Sequence, residues 1–114
     1  MKKSIEKRTR ILLLALGITP NLIGYGYSAS AICKLIEQRK ARRKVSYCKL
    51  YEEVGKEFFS NGNRAERAIR NAIANTLPRN KVLWENILNF KCSGKLTVSE
   101  FLSLCAEKLM MSDE

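Results

Sequence analysis

The chain has 114 residues, enough for one domain and too few for two of ordinary size. Hydrophobic residues make up 46% of it, so a core can be buried, and the absence of histidine excludes histidine-ligated metal sites and the commonest general base. Lysine and arginine outnumber aspartate and glutamate by 21 to 11, and a net charge of +10 favours a polyanionic partner, either nucleic acid or an acidic membrane surface.

The positive charge lies mainly in the first half of the chain. Residues 1–45 hold eleven Lys and Arg against two Glu, whereas residues 81–114 hold four Lys against five acidic residues.

The sequence has four cysteines and no C-x-x-C pair, which excludes a zinc ribbon. We expect reduced, mostly buried thiols in a cytoplasmic domain; two disulfides in a secreted protein are the alternative. No apolar run reaches the roughly 20 residues of a membrane span, so we expect no membrane partner.

The first predicted elements are two helices. A basic lead covers residues 1–10, and apolar spacing predicts a helix from Ile5 to Leu16, with Ser4 as its N-cap and Gly17 as its C-terminal stop. A connection containing Gly24 and Gly26 follows. The second helix is predicted over residues 28–39, and it runs into five cations that we expect to contact DNA phosphates: Arg39, Lys40, Arg42, Arg43 and Lys44.

Four more helices are predicted. The third covers residues 47–58, and the fourth covers 62–76 with Asn61 as its N-cap and Ala65, Ile69 and Ile73 on its inward face. The fifth, over residues 81–89, is expected to bury Val82 and either Leu83 or Trp84 with Ile87 and Leu88. The last begins with a capping box over residues 97–100 and is expected to bury Phe101, Leu102, Leu104, Cys105 and Leu109. No segment alternates like a strand, so the sequence predicts one all-α domain over residues 1–114, a compact bundle of five or six helices.

The third and fourth helices have the spacing of a helix-turn-helix over residues 47–76. Gly55 provides a small residue where the second helix crosses, and Ala65 provides the inward residue ten positions later. Phe59 departs from the pattern, because many such turns have glycine there. The outward face of the fourth helix carries side chains suited to reading base edges in the major groove: Asn63, Arg64, Glu66, Arg67, Arg70 and Asn71. The alternative is a solvated face in which Glu66 and Arg70 form an i,i+4 salt pair.

Three stretches resemble the effector domain of the stage-zero sporulation response regulator family. The opening L-G-I-T-P-N over residues 16–21, the R-A-E-R-A-I-R-N-A-I stretch over 64–73 and the S-E-F stretch over 99–101 occur in the family's order. The resemblance runs from about residue 11 to residue 110. It implies a six-helix DNA-binding domain that binds a short TGTCGAA-like box, often as a tandem homodimer, and that contacts the RNA polymerase sigma factor.

The resemblance also implies that Glu66, Arg67 and Arg70 occupy DNA-reading positions. Asn71 departs from it, because the family commonly has histidine there, and the linker over residues 39–44 is far more basic than the family's. The sequence holds no receiver domain ahead of the first helix. Either the chain is a free-standing effector domain or it is a piece of a longer one, and Met1 with its lysine-rich lead favours the free-standing case.

Two functions remain open. The first is a sequence-specific transcription regulator connected with sporulation or stationary phase, which needs Arg67 and Arg70 exposed on a positive surface. The second is a helical interaction module that modulates a full-length regulator without reading DNA, which would show an apolar patch there. Glu52, Glu53 and Glu57 could serve as acid or base groups, but they fit the solvated side of the third helix, so we expect no enzyme activity. We also expect no cofactor and no metal.

Overall fold

The structure is a computed structural model that describes residues 2–111. Six α-helices follow in chain order: α1 (Lys2–Leu16), α2 (Ile23–Lys40), α3 (Tyr47–Glu57), α4 (Gly62–Thr76), α5 (Lys81–Leu88) and α6 (Val98–Met111). A 3₁₀ turn, Leu77–Arg79, joins α4 to α5, and the described residues include no strand. The all-α bundle is confirmed. Met1 and residues 112–114, which the predicted domain includes, lie outside the described residues.

Helix α2 is the centre of the bundle and packs against α1, α3, α4 and α6. A second part of the core forms around α5 and α6, where the rings of Trp84 and Phe101 are 5.4 Å apart. The indole Nε1 of Trp84 donates a hydrogen bond of 2.8 Å to the carbonyl oxygen of Leu16. Because Trp84 is fully buried, the side chain ties α5 to the end of α1 and serves as a core anchor.

Helix boundaries follow the local signals in most places. Gly17 ends α1 with φ +95°, and the amide of Ile18 donates to the carbonyl of Leu13. At α6, the amide of Thr97 donates to Glu100 and the amide of Glu100 donates to Thr97, which confirms the capping box.

Two predicted helix starts are wrong. Helix α1 begins at Lys2, so residues 2–10 of the basic lead are part of the helix and Ser4 is not its N-cap. Helix α2 begins at Ile23, so Gly24 and Gly26 lie inside a helix and not in a connection. At Gly24 the reason is steric, because a Cβ there would lie 2.5 Å from the carbonyl oxygen of Ala68. This glycine permits α2 to cross close to α4.

Some predicted core positions are also wrong. Val82 is 68% exposed, because the short helix α5 turns Trp84 and Leu88 inward instead. Leu104 is half-buried at the edge of the core. Phe58, predicted as the last residue of the third helix, lies one residue beyond the end of α3 and is partly exposed, with its ring packed on Tyr27 at 4.7 Å.

All four cysteines lie in the described part of the chain and are free thiols. Cys105 is completely buried in the core, and burial raises the pKa of its thiol. Cys48 is exposed on α3, whereas Cys33 and Cys92 are half-buried. The prediction that most of the thiols are buried therefore holds only in part.

Candidate nucleic-acid interface

Helices α3 and α4 are joined by a turn over residues 58–61. The side-chain oxygen of Asn61 accepts a hydrogen bond of 2.9 Å from the amide of Arg64, which confirms Asn61 as the N-cap of α4. The amide of Ser60 donates to the carbonyl of Gly55 at 2.7 Å. A Cβ on Gly55 would lie 2.3 Å from the carbonyl carbon of Asn61, so the turn can close only on a glycine at this position.

This close approach predicts that Gly55→Ala destabilises the helix-turn-helix. The methyl group would meet backbone atoms of Asn61, which cannot move aside as a flexible side chain could, and we expect a decrease of about 1–3 kcal/mol in unfolding free energy. Gly26→Ala is the matched control, since its Cβ would meet only the ring of Phe58 at 3.3 Å. Urea unfolding of both variants measures the difference. Equal stability of the two variants would contradict this account of the turn.

The turn brings Phe59 into the left-handed region of the backbone, with φ +56°. Glycine adopts this conformation without strain, and a bulky residue rarely does. Many helix-turn-helix turns have glycine at this position, and Phe59 adopts the backbone conformation that a glycine would have there.

The inward face of α4 is as predicted. Ala65, Ile69 and Ile73 are buried, and Ala72 is buried beside the crossing with α2. Because this face is fixed by α2 and α3, the opposite face of α4 is turned to solvent.

The predicted base-reading residues lie on that outward face. Asn63, Arg64, Arg67, Arg70 and Asn71 are exposed, and Glu66 is partly exposed. They divide between two sides of the helix. On the α3 side, Asn63 and Glu66 line a hollow with Cys48, Tyr51 and Glu52. On the other side, Arg64, Arg67 and Asn71 line a groove with the start of α2 and the turn.

The two central arginines differ in their partners. The guanidinium of Arg70 lies 2.6 Å from a carboxylate oxygen of Glu66, so the predicted i,i+4 pair is present. Arg67 makes no ion pair with any described residue and is exposed. Both side chains are accessible, but Arg67 presents its full set of donors to an incoming ligand.

Tyr51 borders the same surface. Burial raises the pKa of its phenol to about 12, with a further contribution from the nearby charge of Glu66. A phenol is protonated near neutral pH even without this shift, so the hydroxyl can donate a hydrogen bond on the α3 side.

The five predicted phosphate contacts do not share one environment. Arg39 is turned toward α6, where it donates to Ser103 at 2.8 Å and lies 3.8 Å from Glu107. Lys40 ends α2, and the exposed residues Arg42, Arg43 and Lys44 lie in the segment that leads to the N-cap of α3. The last three are therefore next to the helix-turn-helix in the chain, whereas Arg39 is engaged elsewhere.

Sequence reasoning missed the start of α2 and the turn as parts of this surface. Residues 21–24 and 58–60 line the groove beside Arg64 and Arg67. The signal was present as small residues at helical spacing, Gly24, Ser28 and Ala31, which extend the apolar stripe of α2 toward its start.

Metal-ligand clusters and membrane spans are both missing from the described residues. Within residues 2–111, no three of the cysteine, aspartate and glutamate side chains come together in a group that could hold a metal ion. In the same part of the chain, no helix has the length and hydropathy needed to cross a membrane.

The sequence matches a known protein family over most of its length. The family model described as the C terminal of the sporulation initiation factor Spo0A matches residues 9–109. The match includes the helix-turn-helix and all of the predicted site residues. It is a family of helical DNA-binding regulatory domains and not a family of enzymes. Since the match covers most of the sequence, the chain belongs to the Spo0A C-terminal family of sporulation response-regulator effector domains.

Proposed function

We propose that the chain is a sequence-specific transcription regulator that reads a short box in double-stranded DNA with α4 in the major groove. Its role would be connected with sporulation or stationary phase. The observation that carries the proposal is Arg67, which is exposed and has no ion-pair partner among the described residues. Arg64 and Asn71 lie on one side of it, and Asn63 lies on the other. Arginine and asparagine donors match the edges of guanine and adenine.

Selection of binding sites from random duplex DNA tests the proposal. We expect a guanine-containing box similar to TGTCGAA to be enriched, and titration should show tighter binding to that box than to a scrambled duplex of equal composition. Equal affinity for both duplexes would overturn sequence reading. It would favour the interaction module instead, and the exposed side chains of Ile23 and Phe59 beside the reading face are the observation in its favour.

The proposal extends to partners and location. From the family resemblance, two copies would bind tandem boxes and the DNA-bound domain would contact the RNA polymerase sigma factor. The role requires access to chromosomal DNA, so the proposed location is the cytoplasm. We propose no catalytic activity and no cofactor for this chain, and we propose that residues 47–76 act within a single DNA-binding domain.

Arg43 and Lys44 are the members of the basic run that we expect to bind phosphates most directly, because they precede the N-cap of α3. Replacing both with glutamine should weaken binding to every duplex alike. It should also lower the slope of log K against log salt by up to about 0.9 for each phosphate that the chain no longer neutralises, since fewer counterions are released. Binding isotherms at several salt concentrations measure that slope.

The matched control replaces Lys91 and Lys95, two exposed lysines in the segment between α5 and α6, with glutamine. This variant removes the same charge from another part of the surface. If it lowers the slope as much as the Arg43 and Lys44 variant, the effect comes from net charge and the phosphate contacts are refuted.

A further inference from the structure

An apolar rim lies beside the arginines of α4. It consists of Ile23 at the start of α2 and Phe58 and Phe59 in the turn, and their exposed fractions are 78%, 38% and 101%. The rim borders a groove of about 690 Å³ whose opposite wall is the outward face of α4, with Arg64 and Arg67. Apolar and cationic side chains therefore face the same space.

Phe59 is unfavourable in two ways within the folded chain. Its side chain is fully exposed, and its backbone has φ +56°, which costs a bulky residue conformational energy. Phe58 stacks against Tyr27, but the ring of Phe59 is not stacked on any described aromatic residue. Within the chain, the turn offsets part of the backbone cost, because the amide of Phe59 donates to the carbonyl of Lys56 and the amide of Ser60 donates to that of Gly55. No described residue covers the ring, so its full exposure is the feature that a ligand would explain.

The side chains that line the groove indicate an anionic ligand that also carries apolar groups. Its lining includes Arg64 and Arg67 and no carboxylate, together with the amide side chains of three asparagines, Asn21, Asn71 and Asn75. An apolar protein surface seated here would bury the two guanidinium groups without partners, which is costly. The major groove of DNA instead offers guanine acceptor atoms and flanking phosphates for the arginines, and thymine methyl groups for an aromatic ring.

We propose that Phe59, supported by Ile23, contacts the methyl group of a thymine in the DNA that α4 binds, and that it is a specificity-determining residue of this chain. The inference rests on the proposed function and adds an apolar contact to the polar ones. The rim is continuous with the reading face, because Phe59 and Arg67 line one groove. Phe59 would select thymine at one position at the edge of the box.

Replacement of thymine by deoxyuridine, one position at a time, tests the contact because it removes only the methyl group. For the wild-type chain we expect one position at which this change weakens binding by about threefold to tenfold, the scale of one buried methyl group. Phe59→Gly and Phe59→Asn, which both accept a positive φ, should weaken binding to the thymine duplex by a similar factor. Neither variant should respond further to deoxyuridine at that position.

Two controls accompany the titration. Thermal melting of Phe59→Gly should give a midpoint equal to or above that of the wild type, because the variant removes backbone strain and leaves the core intact. Ile11→Ala changes an apolar side chain that is 55% exposed on α1, away from the groove, and should respond to deoxyuridine as the wild type does.

The outcomes separate the two proposals. If the wild type prefers its box over a scrambled duplex but Phe59→Gly binds that box equally tightly, the thymine contact is refuted and the proposed function stands. If the wild type shows no preference among duplexes, the proposed function fails and the inference fails with it. If sedimentation shows wild-type dimers without DNA that Phe59→Gly disperses, the rim is an interface between copies of this chain, which also refutes the thymine contact.

Discussion

Ile69→Asp should unfold the domain. Ile69 is completely buried on the inward face of α4, where that helix packs against α2 and α3. Aspartate would leave a cavity and place either a charge or an unpaired carboxyl group in an apolar crossing. We expect the unfolding free energy to fall by roughly 3–5 kcal/mol or more, a large part of the roughly 5–15 kcal/mol that stabilises a typical domain.

Circular dichroism during urea unfolding measures this change. Ala74→Asp is the matched control, because Ala74 is an exposed residue of the same helix. It introduces the same side chain into water, and we expect a loss of only about 1 kcal/mol, from the lower helix propensity of aspartate and its charge near the C-terminal end of α4. A folded Ile69→Asp variant with a stability near that of Ala74→Asp would show that α4 does not pack through this face.

Arg67→Ala should reduce specific binding more than any other single change on the outward face. A bidentate pair between arginine and guanine contributes roughly 1–3 kcal/mol of discrimination, so affinity for the selected box should fall about 5- to 150-fold. Affinity for a scrambled duplex should fall much less, because only one phosphate-attracting charge is removed. Arg67→Lys should restore part of the affinity, since lysine lacks the planar fork of donors.

Arg70→Ala should also reduce affinity for the selected box, but for a different reason. Arg70 is held by Glu66 at 2.6 Å, so its removal also releases a carboxylate on the outward face of α4. That carboxylate would repel phosphates or accept a hydrogen bond from cytosine, which changes the preferred base as well as the affinity. The site selection repeated with this variant measures both effects.

Arg79→Ala is the charge-matched control for both arginines. Arg79 is exposed in the 3₁₀ turn after α4 and does not line the groove or the hollow beside the outward face of α4. It should leave the ratio of specific to non-specific affinity unchanged. If Arg79→Ala reduces that ratio as strongly as Arg67→Ala does, the effect reflects overall charge, and α4 is not the reading element.

The sequence determined the helix-turn-helix on local evidence. Asn61 has the side chain of an N-cap, and the spacing of Ala65, Ile69 and Ile73 defines one buried face along α4. Both signals act within a few residues, so they do not depend on the rest of the fold. The outward face and its six candidate residues follow from the inward one by helix geometry.

Tertiary structure decided what no local pattern could. A glycine such as Gly24 is compatible with a turn and with a close helix crossing, and only the presence of Ala68 and Ala72 beside it selects the crossing. Helix α5 has eight residues, too few for its apolar positions to define a face, so packing decided that Trp84 is buried and Val82 exposed.

Tertiary packing also decided which acidic and polar groups lie beside the basic side chains. Arg39 and Arg43 look alike in the sequence, but the packing of α2 on α6 brings Ser103 and Glu107 to Arg39 alone. The groove that joins Phe59 to Arg67 also depends on where α2 begins. Periodicity shows which face of a helix is buried, whereas the identity of the neighbour across that face depends on how distant parts of the chain pack.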